Sequence, residues 1–142
     1  MIWSDAEKTA AGLVWEDDPA PFDNRFYWAA DIPRALDDVT EEDGSVTLGL
    51  KSRYKAQTKV TAASLLAPTD WHVVKAAEVS GYTVPSAITT YRAAVRTASN
   101  TIEAAIDGAA DLDALIALFD VPVNSEGVPT GNAPINDWPD AI

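Results

Sequence analysis

Side chains that could carry out catalysis are few in this sequence. The chain of 142 residues has one histidine, His72, and no cysteine. A nucleophilic triad needs a base, but His72 directly follows Trp71 in a predicted helix, and the chain has no G-x-S-x-G turn. The seven glycines form neither a G-x-x-x-x-G-K-S/T loop nor a G-x-G-x-x-G loop, so no phosphate-binding loop is predicted. We therefore interpret His72 as a structural residue.

Carboxylates are plentiful, but their spacing matches no familiar site. Two acidic clusters lie beside glycines: Asp37, Asp38, Glu41, Glu42 and Asp43 before Gly44, and Asp107, Asp111 and Asp113 around Gly108. Neither cluster has the spacing of a calcium-binding loop, and helix caps or solvated turns account for both. No spacing favours a pair of acids for sugar hydrolysis. We predict a protein that is not an enzyme and that uses no metal or cofactor.

The net charge argues against nucleic acid as a partner. Ten Lys and Arg residues stand against 22 Asp and Glu residues, so the formal charge is −12, which repels a phosphate backbone. Residues 97–142 contain eight acids and no Lys or Arg, which indicates either a solvated surface or a surface for a basic partner. No apolar run approaches the roughly 20 residues that cross a bilayer, and the first residues do not resemble a signal peptide. We expect no membrane partner.

Composition divides the chain into three regions, 1–49, 50–119 and 120–142. The first is rich in aromatic and turn residues, and we expect it to be extended and to wrap a core or a partner. Residues 46–48 predict a short strand that could pair with residues 13–15 in a marginal β-hairpin. The last region is acidic, carries four prolines and cannot be helical. We expect this extended tail to be held by its own core or by another chain.

The middle region predicts a mainly α fold, a small domain of three to four helices. Residues 50–66 lack Pro and Gly and predict the first helix, which stops at Ala67-Pro68. Thr69 is the predicted N-cap of a second helix, which Ser80-Gly81 ends. The predicted buried side of the first helix consists of Leu50, Tyr54, Thr61 and Leu65.

The clearest predicted helix begins at Pro85-Ser86 and ends at Gly108. Asp111 is the predicted cap of a last short helix over residues 112–119. The long helix carries a heptad-like seam that suits a partner helix at a shallow angle. That seam consists of Ile88, Tyr91, Val95, Ala98, Ile102 and Ala105.

Five residues are candidate partner contacts: Trp138, Arg92, Arg96, Trp28 and Phe26. The two arginines are four residues apart on the long helix, and they either pair with nearby acids or reach a carboxylate of a partner. Trp138 either anchors the tail to its own domain or enters a pocket of a partner. Trp28 and Phe26 belong to the aromatic first region, which could contribute an extended contact strip.

Two stretches of the sequence carry a resemblance to a family. Residues 65–71 read LLAPTDW and residues 91–96 read YRAAVR. They resemble the L-L-x-x-S/T-D-W and Y-R-x-x-L/V-R pieces of the helical module of bacteriophage tail fibre assembly proteins, over about residues 50–106. Residues 18–28 look like phage tail proteins of the cyanophage type, and Trp138-Pro139 is similar to the W-P that ends many such chains. The first 44 residues do not match the N-terminal domain that usually precedes this module.

The resemblance implies a non-enzymatic phage tail protein whose partner is a tail fibre protein, itself a trimer. It implies a role as an assembly chaperone, acting in the host cytoplasm during assembly or retained in the virion tail. The alternative is a purely structural tail or baseplate component with no chaperone role. Other tail or baseplate proteins are further candidate partners under both readings.

Overall fold

The computed structural model describes residues 2–12 and 20–142. The chain forms two compact units, one within residues 1–33 and one formed by residues 34–142. The second unit includes the predicted helical module together with residues 34–49 and the tail. Within the described residues the fold is mainly α, with small antiparallel β-hairpins.

The first unit contains one short helix and one short hairpin. Helix α1 (Asp5–Ala10) begins with a capping box, in which Ser4 and Glu7 exchange hydrogen bonds between side chain and backbone. Strand β1 (Tyr27–Ala29) pairs with β2 (Ile32–Pro33) in antiparallel fashion. The first region was expected to be extended, so this helix is an addition that the composition did not indicate.

A second hairpin opens the second unit. Strand β3 (Val39–Thr40) pairs with β4 (Val46–Thr47), and Gly44 takes a positive φ of 82° in the turn between them. The strand predicted at residues 46–48 is confirmed over its first two residues. Its observed partner is β3, and residues 13–15 lie outside the described part of the chain.

The hairpin segment is tied to the first turn of helix α2 (Leu50–Leu66). The first turn of a helix has free backbone N–H groups, and here Leu50 and Lys51 donate theirs to the carbonyls of Ala35 and Leu36. Gly49, the residue before α2, lies so close to this segment that a Cβ atom would stand 2.4 Å from the carbonyl carbon of Asp37. The start of α2 is therefore closed by backbone contacts.

Helix α2 packs antiparallel against the long helix α4 (Ser86–Gly108). Two ion pairs fix the register, Lys55–Asp107 at 2.7 Å and Lys59–Glu103 at 3.5 Å. The predicted bounds of both helices are confirmed. The buried residues of α2 are Leu50, Thr58 and Ala62, whereas the predicted Tyr54, Thr61 and Leu65 are only half-buried.

The buried face of α4 differs from the predicted seam. Tyr91, Val95 and Ile102 are buried as expected, but Ser99 and Ile106 complete the core face. Ile88, Ala98 and Ala105 are half-buried at its edge. The core face follows the 3.6-residue period of a straight helix more closely than a strict heptad, because the two periods drift apart by about 20° per heptad.

Two short helices complete the helical module. A 3₁₀ turn (Ala67–Thr69) leads from α2 into α3 (Asp70–Glu78), none of whose residues is buried. Thr69 is the N-cap residue of α3, as predicted, but its side chain makes no capping hydrogen bond, because its hydroxyl donates to the carbonyl of Leu66. The prediction for Asp111 is confirmed, because its carboxylate accepts from the N–H of Ala114 at the start of α5 (Leu112–Ala117).

The tail is held by its own unit. It first forms a turn in which the N–H of Thr130 donates to the carbonyl of Pro122 at 2.8 Å. The N–H of Ile135 then donates to the carbonyl of Leu118 at 2.9 Å, and a 3₁₀ turn (Pro134–Asn136) packs beside α4. Backbone bonds to the end of α5 thus replace the helical or sheet contacts that a proline-rich sequence cannot make.

Candidate partner-binding groove

Arg92 of α4 joins three elements inside the second unit. Its Nη1 atom donates to the carbonyl oxygen of Leu66 at 2.9 Å and to the hydroxyl of Thr69 at 2.7 Å. The same atom lies 2.8 Å from a carboxylate oxygen of Asp70. The Arg92 side chain is 10 % exposed, so water competes weakly for these bonds. Arg92 therefore matches the alternative in which the arginine pairs with a nearby acid.

The residues behind the resemblance build the joint between α2, α3 and α4. Leu65, Leu66 and Tyr91 belong to one apolar cluster, and Thr69, Asp70 and Arg92 form the polar contact beside it. In this chain the two stretches thus pack the module together.

Trp71 belongs to the first of those stretches but takes no part in this joint. Its side chain is 53 % exposed, and its ring stacks on His72 with centroids 3.7 Å apart. The Lys75 ammonium lies 4.5 Å from the Tyr82 ring centroid, and Nδ1 of His72 is 2.5 Å from the Tyr82 hydroxyl. His72 is therefore held by ring and hydroxyl contacts with its neighbours.

Arg96 has a different environment from Arg92. It is exposed and forms no ion pair or hydrogen bond with any residue in the described ranges. In the first unit, Trp28 is 59 % exposed, whereas Phe26 is only 1 % exposed. Arg92, Arg96 and Trp138 thus lie in the second unit, and Phe26 and Trp28 lie in the first. Of these five residues, Arg96 and Trp28 are exposed.

Trp138 anchors the tail to its own core. It is half-buried and packs against the cluster of Ala62, Tyr91 and Val95. This contact corresponds to the first of the two alternatives, an anchor on its own domain. A Trp side chain can bury on the order of 150–250 Å², so this contact adds to the backbone bond of Ile135 and the buried Ala133 in holding the tail.

The part of Trp138 that remains exposed lines a groove. The groove has a volume of about 590 Å³ between α4 and the tail. Its helix side consists of small residues and one isoleucine: Ala94, Thr97, Ala98, Thr101, Ile102 and Ala105. Its tail side consists of Asn132, Pro134, Asp137, Trp138 and Pro139.

The groove continues toward the start of α4. A further space of about 460 Å³ shares Ala94 and Pro139 with the first and reaches Ser86 on the helix and Ile142 on the tail. We refer to the two spaces together as the α4 groove. A separate cavity of about 200 Å³ lies between Trp138 and the residues Tyr54 and Phe119.

The charges along the α4 groove have one sign. Asp137 and Asp140 line it, and no Lys, Arg or His does. Asp137 accepts one long hydrogen bond, 3.4 Å, from the side-chain amide of Asn132. Neither carboxylate forms an ion pair with a residue of the described chain. The groove is apolar along its floor and negative along one wall.

The described residues contain neither a cluster of metal ligands nor a helix suited to span a membrane. Within residues 2–12 and 20–142, no three His, Cys, Asp or Glu side chains come together in a way that could hold a metal ion. None of the helices in these ranges is both long and apolar enough to cross a membrane.

The groove was only partly visible in the sequence. Ala98 and Ala105 belong to the predicted core seam, whereas the structure places both of them along the groove. The tail wall could not be foreseen, because it depends on the contact between Trp138 and residues more than 40 positions earlier. Comparisons with protein-family models, curated proteins and solved structures found no significant match.

Proposed function

We propose that this chain is a non-enzymatic phage tail protein that binds the tail fibre protein and acts as an assembly chaperone. The α4 groove is the observation that supports this role best. It is an open apolar surface on the same unit that carries the resemblance to tail fibre assembly proteins.

The division of labour within the resembling stretches supports the assignment of the groove. Arg92 is buried in contacts that hold the helices together, so it is a poor candidate for direct contact with a partner. Tyr91 is also buried in the core, and it lines the groove near the start of α4. The groove beside Trp138 is open, and Trp at a partly buried position is typical of binding hot spots. An unassembled fibre chain exposes apolar surface, and an apolar groove of this size can cover part of it.

Co-purification with a tail fibre protein of the same phage tests the proposal. Ala98→Trp places a large ring in the groove, and we expect it to weaken fibre binding by about tenfold or more. Ala93→Trp is the matched control, because residue 93 is exposed and lies about 140° around α4 from residue 98. Equal binding by both variants would assign the contact to another surface, and absence of fibre binding by the unmodified chain would refute the proposal.

Mass spectrometry of purified particles separates the chaperone from the structural alternative. A fixed ratio to the fibre protein in particles indicates a retained component of the virion tail. Presence in fibre complexes from infected cells, with absence from particles, indicates a chaperone that is released in the host cytoplasm. A fixed ratio to baseplate proteins with no fibre complex favours the purely structural role.

A further inference from the structure

The shape of the α4 groove restricts what can lie in it. The helix side runs from Ser86 to Ala105, which at 1.5 Å per residue is about 28 Å. Most of its residues on that side are Ala, Ser or Thr, so a partner backbone can approach to about 8 Å between axes. The groove therefore fits one elongated segment better than a compact small molecule.

The backbone of the occupant must satisfy its own hydrogen bonds. Beyond the first turn, the N–H groups of α4 along the groove are already paired within the helix, so most of the floor offers only side-chain hydroxyls. An extended peptide would leave a row of backbone groups without partners along this floor, and burying them costs free energy. A helix pairs its own backbone groups and can present a small apolar face to Ala94 and Ala98.

The charge of the groove restricts the occupant further. Asp137 and Asp140 lie along the tail side, and residues 97–142 supply no Lys or Arg to balance them. A second copy of this chain would bring a formal charge of −12 to the contact, which opposes self-association. A segment carrying Lys or Arg on one side would be attracted and could pair with both carboxylates.

We infer that the α4 groove receives a basic amphipathic helix of the partner, with its apolar face on α4 and its Lys or Arg side chains toward Asp137 and Asp140. This inference deepens the proposed function, since it names the kind of fibre segment that would bind. The preference of the groove for a basic helix can be tested without the fibre.

The first test uses two synthetic helical peptides of about 18 residues. Both have the same Ala- and Leu-rich face, and the opposite face carries Lys in one and Glu in the other. Fluorescence anisotropy of labelled peptides should show the Lys peptide binding about tenfold or more tightly than the Glu peptide, with a difference that shrinks as salt is added. Equal affinity for both peptides would overturn the inference.

Matched variants show whether the preference belongs to the groove. Asp137→Asn with Asp140→Asn should remove most of the preference for Lys, whereas Asp113→Asn with Asp120→Asn removes the same charge from residues outside the groove and should leave most of it. Ala98→Trp should abolish binding of the Lys peptide and Ala93→Trp should not. Equal losses in the two acidic double variants, or binding that survives Ala98→Trp, would overturn the inference and indicate general attraction to an acidic protein.

The fibre and the free chain provide the remaining outcomes. Fibre binding that is lost in Ala98→Trp but unchanged in the Asp137/Asp140 double variant would overturn the basic helix while the proposed function stands. Groove-dependent binding of the Lys peptide without any fibre binding would support the basic helix while the proposed function fails. Self-association that Ala98→Trp abolishes in sedimentation experiments would identify a second copy as the occupant and overturn the inference.

Discussion

Helix α4 presents two long faces that are built in opposite ways. Its core face carries the larger side chains Val95 and Ile106, which are fully buried, together with Tyr91 and Ile102, which also border the groove. Its groove face carries mainly Ala and Thr and is bounded by the tail. Large side chains fill the space between helices, whereas small ones leave space that another chain can fill. The two faces can therefore be perturbed separately, the first through stability and the second through binding.

The largest effect is expected from Ile106→Ala on the core face. Ile106 is fully buried, and truncation would leave a cavity that the surrounding core can close only in part. We expect the free energy of unfolding to fall by about 3 kcal/mol, measured by urea denaturation. Thr101→Ala on the groove face is the control and should change it by no more than about 0.5 kcal/mol. Similar losses in both variants would contradict the distinction between the faces.

The next effect contrasts the two arginines of α4. Arg92→Met removes the donor to the hydroxyl of Thr69 and the cation beside the carboxylate of Asp70, and it leaves the carbonyl of Leu66 with the Thr69 hydroxyl as its side-chain donor. Because Asp70 is half exposed and can be rehydrated, we expect a loss of about 2 kcal/mol, below the range for a fully buried ion pair. Thermal melting of Arg92→Met and of Arg96→Met makes the comparison, and the exposed Arg96 should contribute little. A larger shift for Arg96→Met would show that its contacts differ from those described.

The boundaries of α2 and α4 could be predicted from the sequence, whereas the tertiary contacts could not. The first residue of α2 and both ends of α4 follow from local signals, a run free of Pro and Gly and the pair Pro85 and Gly108. The predicted core face of α4 omits Ser99 and Ile106, because it assumes a heptad pattern. This single helix pair follows the 3.6-residue period instead. Local periodicity cannot tell which neighbouring helix will cover a given edge.

The candidate site shows the same limit. Arg92 and Arg96 looked equivalent in the sequence, and only the path of residues 67–69 distinguishes them by placing three oxygen atoms around Arg92. The alternatives for Trp138 could be stated but not decided, because its packing on the α2–α4 core is a long-range contact. The pairing of β3 with β4 likewise depends on the turn at Gly44, and the sequence did not show that residues 39–40 would be the partner of β4.

A further comparison, with an effect no larger than that of Arg92→Met, concerns two glycines. Gly49 packs against neighbouring backbone, and Gly108 has open space around its Cα atom. Gly49→Ala would place its Cβ 2.4 Å from the backbone of Asp37, so the first turn of α2 must shift. We expect a loss of about 2 kcal/mol in the free energy of unfolding. Gly108→Ala at the end of α4 meets no atom within 4 Å, and we expect it to stabilise the chain by up to about 1 kcal/mol. Urea denaturation of both variants checks the opposite signs, and a loss for Gly108→Ala would contradict them.

The smallest effect concerns a carboxylate in a closed contact, Asp38, compared with one in the groove, Asp140. The N–H of Gly49 and then the hydroxyl of Ser52 donate to Asp38, which lowers its pKa below the ordinary value of 3.8. The charged carboxylate therefore stabilises the fold above that value, and this contribution is lost as the pH falls through the lowered pKa. Asp38→Asn keeps the shape but cannot gain or lose the charge.

Melting temperatures of the two variants between about pH 6 and about pH 2.5 test this expectation. Asp38→Asn should melt below the unmodified chain at the upper pH, and the difference should shrink as the pH falls through the lowered pKa of Asp38. Asp140→Asn removes the same charge from a residue with no hydrogen bond within the described chain, so at the upper pH it should melt close to the unmodified chain. A constant difference for Asp38→Asn would mean that its contribution does not depend on the carboxylate charge. No difference at the upper pH would mean that the start of α2 is held by the backbone contacts of Ala35 and Leu36 alone.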